Sequence, residues 1–208
     1  MTTSLGMPRR NKPWLTSLGR VWLRLWGWHF AGALPEIPRF IIVVAPHTSN
    51  WDFPLGVAAM FSLDLRIHWF GKDTLFRPPL GWLFRALDGR PVRRAQHEGV
   101  VREVAEVIRS EPQFLLALAP EGTRKPVTKW RTGFYHIAAA AEIPVVPVWF
   151  DWEAHEIGIG PPMMPTGDIQ KDLAHLQSYY RRGMARNPGG FSVIPAGVSS
   201  VATGAADA

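Results

Sequence analysis

The chain has 208 residues, 47% of them hydrophobic, which suits one α/β domain with a core of its own and a small appendage. It has no cysteine, which excludes disulfides, thiolate metal sites and a cysteine nucleophile, and fits a reducing compartment without requiring one. The net charge of +6 and a pI of about 10.2 suit nucleic acid, an anionic membrane surface or a phosphate-bearing substrate, and charge alone does not choose among them.

Residues 1–13 are polar and basic, with Arg9, Arg10 and Lys12, and are expected to be mobile. The next stretch, WLTSLGRVWLRLWGWHF, places Trp14, Leu15, Leu18, Val21, Trp22, Leu25 and Trp26 at helical spacing, with Arg20 and Arg24 off that stripe. It is too short and too charged to span a bilayer, and no small-residue cleavage site follows an apolar core. Two readings stand: a helix packed on the domain, or an interfacial helix on anionic lipid. The density of tryptophan favours the second, with Trp14, Trp22, Trp26, Arg20 and Arg24 as membrane contacts.

RFIIVVAPH (39–47) has the β-branched, uninterrupted character of a strand buried on both faces. Asp52 or Asn50 is positioned to cap a helix over about 52–62, with Pro54 in its first turn. Strands are expected at 65–72, 113–122 and 143–151, with a weaker one at 156–160. Helices are expected at 99–110, 133–142 and 168–183, the last capped by Asp168, and the Gly/Ala/Ser-rich chain from Asn187 on is expected to be disordered. Alternating strands and helices predict an α/β fold, a mostly parallel central sheet covered on both faces. The expected organisation is a basic, Trp-rich interfacial segment over 1–34, a catalytic domain over 35–186 and a tail over 187–208.

Three stretches carry candidate chemistry. The first is VVAPHTSNWDFPLG, where His47 ends a parallel strand at the edge where α/β proteins bind ligands, and Asp52 follows within reach of its imidazole. Such a pair fixes the tautomer, stabilises the imidazolium and leaves a general base; the same spacing also arises where a histidine merely closes a loop. The second is APEGTRKP (119–126), which puts Glu121, Gly122, Thr123 and Arg124 in one loop after an apolar strand. It reads either as a phosphate cradle or as a turn bearing solvated charge. The third, 71–94, interleaves Phe76, Leu80, Trp82, Leu83, Phe84 and Leu87 with Lys72, Arg77, Arg85, Arg90, Arg93 and Arg94. It reads as an ordinary amphipathic helix or as a surface meeting lipid and phosphate together. The remaining histidines fit no metal spacing, Ser49 lies in no G-x-S-x-G elbow, and no helix-turn-helix, zinc or RNP pattern supports nucleic-acid binding.

In this order the motifs resemble those of the glycerolipid acyltransferase family, whose best-known members acylate lysophosphatidic acid. His47-Thr48-Ser49-Asn50-Trp51-Asp52 matches its H-x4-D block, and Pro120-Glu121-Gly122-Thr123-Arg124 its third block. Asp88-Gly89-Arg90-Pro91-Val92-Arg93-Arg94 is similar to the second, and Ile143-Pro144-Val145-Val146-Pro147-Val148 to the fourth; Pro46 stands where many members carry asparagine. The resemblance covers about residues 35 to 165. It implies acyl transfer from acyl-CoA or acyl-carrier protein, as co-substrate, to a hydroxyl of a lysophospholipid, with lysophosphatidic acid the default and an aminolipid or polyol acceptor the alternative. It further implies a His47–Asp52 general-base mechanism without an acyl-enzyme. Arg94 and Arg124 would hold phosphate, Glu121 would orient Arg124 or bind the acceptor, and Gly122, Thr123 and Lys72 would complete the substrate site. No bound cofactor, no metal and no nucleic-acid partner are expected. The expected location is peripheral, on the cytoplasmic face of the cell membrane.

Overall fold

The residues after Arg39 in Arg39-Phe40-Ile41-Ile42-Val43-Val44 are all apolar, so this segment is stable only where both of its faces are covered. It forms strand β2 (Arg39–Val44), following α1 (Pro13–Leu25) and β1 (His29–Ala31). Then come α2 (Asp52–Ser62), β3 (His68–Lys72), α3 (Gly81–Ala86), β4 (Gly89–Val92), α4 (Val100–Ser110), β5 (Phe114–Leu118), α5 (Gly133–Ala141), β6 (Val145–Asp151), β7 (Glu156–Ile159) and α6 (Ile169–Gln177). The computed structural model describes residues 6–92 and 99–192.

The strands form one seven-stranded sheet in the order β1-β7-β6-β2-β5-β3-β4. From β6 to β4 every neighbouring pair is parallel, β7 runs antiparallel to β6, and β1 runs parallel to β7. The mostly parallel α/β sheet expected from the sequence is the one observed. On β2, Phe40 and Ile42 join a core under α1 and α2, while Ile41 and Val43 join a second core that includes residues of α4, α5 and α6. This alternation fixes the register, since a one-residue slip would exchange the two faces. It also delivers Val44, Lys72, Val92, Leu118 and Asp151, the ends of five parallel strands, to one edge of the sheet.

Several expectations are corrected. Residues 7–10 are anchored rather than mobile: Met7 is buried, and Arg10 bonds to the Leu65 carbonyl and pairs with Asp88. The 71–94 segment is broken by Pro78-Pro79, which supply no backbone N–H. A 3-10 turn (Asp73–Phe76) precedes the prolines, and α3 and β4 follow them. Phe76 and Phe84 turn inward onto Trp69, and Phe84 also meets Phe53, while Leu75, Leu80, Trp82 and Leu83 face out. The last helix stops at Gln177, six residues short of the expected end, because Tyr180 leaves it to donate its hydroxyl to the Val43 carbonyl at 2.9 Å. Neither β1 nor the buried Trp28 just before it was expected, and β1 draws part of the 1–34 segment into the sheet. Asn187 and Ser192, expected in the tail, bond to the body of the domain, and residues 193–208 of that expected tail lie outside the described residues.

Helix α1 packs one side on the domain, as the first of its two readings expects. Gly19 and Leu23 are buried against the domain and Trp22 is half-buried. The opposite side bears Trp14, Leu18, Val21 and Leu25, with Trp14 67% and Leu25 79% exposed. The helix sits close because position 19 has no side chain: a Cβ there would lie 2.6 Å from the Ala58 carbonyl oxygen and 2.6 Å from the Ser62 nitrogen. Arg20, off the stripe as expected, bonds to the Ser62 carbonyl at 3.3 Å. Gly19→Leu will therefore force α1 off α2 and cost about 1 to 3 kcal/mol, read as a lower urea midpoint. An unchanged midpoint would refute this packing.

Candidate active site

The chain leaves β2 through buried Ala45 and Pro46, joined by a cis peptide bond, and places His47 on the carboxyl edge of the sheet. The next residues turn into α2, whose first residue is Asp52. This carboxylate does not cap α2 in the ordinary way; it reaches back over the preceding turn. Its Oδ2 accepts from the N–H groups of Thr48 (3.0 Å) and Ser49 (2.8 Å) and lies 3.1 Å from Nδ1 of His47. Its Oδ1 accepts from Nε1 of Trp152 at 3.0 Å. A negative charge at a helix N-terminus is favoured by the helix dipole. The His47 side chain is 26% exposed and that of Asp52 only 3%. With Nδ1 facing Asp52, Nε2 is the ring nitrogen left for a ligand. Ser49 is buried, and its Oγ accepts the Trp51 N–H, so it serves the turn.

The loop after β5 stands beside this pair. Glu121 is buried and accepts the backbone N–H of His47 at 2.7 Å. Gly122 has φ +63, and a Cβ there would come within 2.7 Å of Nε of Arg131, so both backbone conformation and space call for glycine. Thr123 and Arg124 are exposed at the turn, and Lys72 is exposed at the end of β3 on the same edge. Arg94 lies outside the described residues. The arrangement holds an imidazole against a buried carboxylate at the sheet edge where parallel α/β folds receive ligands, with Lys72 and Arg124 exposed on elements that end at that edge.

The Acyltransferase family model matches residues 33–151, more than half of the chain and the span that carries both loops. The chain belongs to the acyltransferase family. The fold of this acyltransferase is similar to the crystal structure of the 1-acyl-sn-glycerophosphate (LPA) acyltransferase PlsC from Thermotoga maritima. The TM-score is 0.58 at 22% identity, over 83% of this chain and 77% of that one. No curated protein matches it.

The site of this acyltransferase contains parts that spacing did not reveal. Trp152 follows β6 by one residue and so arrives at the same edge. Arg186 lies 4.5 Å over the Trp152 ring and 5.0 Å over Trp51. Asn187 brackets Thr48, its N–H donating to Oγ1 at 3.2 Å and its amide to the carbonyl at 2.9 Å. Ser192 accepts the Val127 N–H, tying the same segment to the chain beyond Arg124. The only sequence signal for Trp152 was its place just past a strand; Arg186, Asn187 and Ser192 had none. Glu121, expected to orient Arg124 or bind the acceptor, has one carboxyl oxygen turned onto the His47 main chain.

Burial pushes the Glu121 carboxyl up from its usual 4.5 to about 7; Asp52 adds to the rise, while the N–H and the ring of His47 oppose it. The folded state thus binds this proton more tightly than the unfolded state does. The associated stability is full below about pH 4.5 and is lost as pH rises through about 7. Glu121→Gln keeps an acceptor for the His47 N–H but cannot ionise. Between pH 5 and pH 8 the parent should lose on the order of 2 to 3 kcal/mol relative to this variant, read from urea midpoints. A difference that stays flat with pH would refute the buried carboxyl.

Proposed function

We propose that the chain moves a fatty acyl group from a thioester, acyl-CoA or acyl-carrier protein, to the hydroxyl of a lysophospholipid at an anionic membrane surface. Lysophosphatidic acid is the default acceptor. The observation that carries this reading is the His47 Nδ1–Asp52 Oδ2 contact of 3.1 Å, which leaves Nε2 free, on a residue whose main chain is bonded to Glu121 of the neighbouring loop. The similar Thermotoga maritima protein is a 1-acyl-sn-glycerophosphate (LPA) acyltransferase, which supports the choice of acceptor.

In this mechanism Nε2 of His47 takes the proton from the acceptor hydroxyl as its oxygen attacks the thioester carbonyl carbon. The C–S bond then breaks, and the imidazolium returns the proton to the departing thiolate. Ester and free thiol result, with no acyl-enzyme. Asp52 holds Nδ1–H and stabilises the transient imidazolium. Arg124 and Lys72, with Arg94, hold the acceptor's phosphate, and the positive φ of Gly122 lets the loop approach it closely. Glu121 fixes the main chain from which the His47 ring projects.

The membrane reading rests on exposed apolar side chains. Among the described residues no helix is long and apolar enough to cross a bilayer. The outer side of α1, joined by Trp26 and by Trp51 at 6.4 Å from it, and the face of Leu80, Trp82 and Leu83 give a chain of charge +6 two apolar surfaces. An interfacial enzyme held peripherally on the cytoplasmic face by apolar burial and anionic headgroups accounts for both.

Three measurements test the proposal. His47→Ala should lower thiol release about 10²- to 10⁴-fold while the protein stays folded, and near-parental turnover would remove His47 as the base. A matrix of donors against lysophospholipid, aminolipid and polyol acceptors, with products identified by mass spectrometry, assigns the substrates. In the third measurement, the triple variant Leu18→Glu, Val21→Glu, Leu25→Glu changes only exposed positions. It should keep its melting temperature and bind anionic vesicles about a hundredfold or more weakly. Unchanged vesicle binding would exclude α1 as the membrane contact.

A further inference from the structure

The two oxygens of Asp52 have different partners. Oδ2 faces the Thr48 and Ser49 N–H groups and Nδ1 of His47; Oδ1 meets a side chain from the far end of β6, Nε1 of Trp152. The Trp152 indole is held on several sides. It meets Trp28 edge-on at 5.0 Å and 89°, and the Arg186 guanidinium covers it at 4.5 Å. Its main-chain N–H donates to the Met184 carbonyl at 3.0 Å. A phenyl ring would retain an aromatic face for these stacking contacts. What only the indole supplies is the N–H, and that N–H is directed at the buried carboxylate.

We infer that Trp152 is a positioning residue for acyl transfer: its Nε1–H pins Oδ1 of Asp52 and thereby fixes Oδ2 against the His47 ring. The inference rests on the reading of His47 as the general base. It has an electrical consequence. A donor on Oδ1 draws negative charge away from Oδ2, and its removal returns that charge to the oxygen that faces Nδ1 of His47. Among the described residues, the charged groups that approach the pair from other elements include the Glu121 carboxyl, bonded to the His47 main chain, and the Arg186 guanidinium, stacked on the Trp152 ring, with Lys72 and Arg124 exposed at the same sheet edge. Trp152→Phe removes none of these.

The test is Trp152→Phe in the full chain, assayed for thiol release with acyl-CoA and lysophosphatidic acid, or with the pair that the substrate matrix assigns. The expected result is a kcat lower by about tenfold to a hundredfold with both KM values within about twofold. The acidic limb of the kcat profile should move up by roughly 0.5 to 1 pH unit. A fall in kcat with an unmoved limb, a rise in KM alone, or parental kinetics would each overturn the inference. Should the variant fold poorly, the Trp152 indole N–H resonance of the unmodified ring decides instead. It must shift when Asp52→Asn is introduced, and an unshifted resonance overturns the inference. Loss of the inference leaves His47→Ala inactive, whereas an active His47→Ala removes the acyl-transfer mechanism without altering the indole hydrogen bond.

Discussion

The Asp52 carboxylate is the point on which the site depends. A buried carboxylate is costly unless donors surround it, and here two main-chain N–H groups, an imidazole and an indole do so. Those donors come from the turn after β2 and from the end of β6, so satisfying one carboxylate draws the catalytic turn to its neighbouring strand. The same requirement sets the shape of the turn. Asp52 reaches back over Thr48 and Ser49, and the His47 ring is left projecting with one nitrogen committed.

Strand order does the remaining assembly. β2 lies between β6 and β5, so the loops that leave these three strands are neighbours at the carboxyl edge however far apart they lie in the chain. Glu121 uses that adjacency to hold the His47 main chain, at the cost of burying a carboxyl that ionises only reluctantly. The segment after α6 closes the third side through Asn187 on Thr48 and Arg186 on two tryptophans. Charge, backbone and ring stacking each fix a different degree of freedom of one short loop.

The parts legible in the sequence were those with a period or a spacing. The apolar run of 39–44, the H-x4-D block and the loop of Glu121 to Arg124 carry local signals, and the structure brings His47, Asp52 and Glu121 together. What was not legible came from contacts between distant residues. Trp152 looks like any strand-end aromatic until β6 is laid beside β2. Asn187 sits in a Gly-rich stretch whose composition suggests disorder, yet two hydrogen bonds to Thr48 order it. In α1 the periodic stripe is apolar, but one glycine decides which side docks, and the side bearing Trp14, Leu18, Val21 and Leu25 stays outside. Pro78-Pro79 interrupted a pattern that composition alone made continuous.

The clamp on Thr48 also bears on when the site comes into being. The residues that complete the His47 turn follow it by 74 positions in the case of Glu121; Trp152 lies 100 positions beyond Asp52, and Asn187 lies 139 beyond Thr48. Contacts of such separation are made only after the intervening loops have closed, and they form late. A nascent chain that has released β2 and α2 therefore carries His47 and Asp52 without the groups that set them. The turn has all of these partners only once synthesis has passed Asn187.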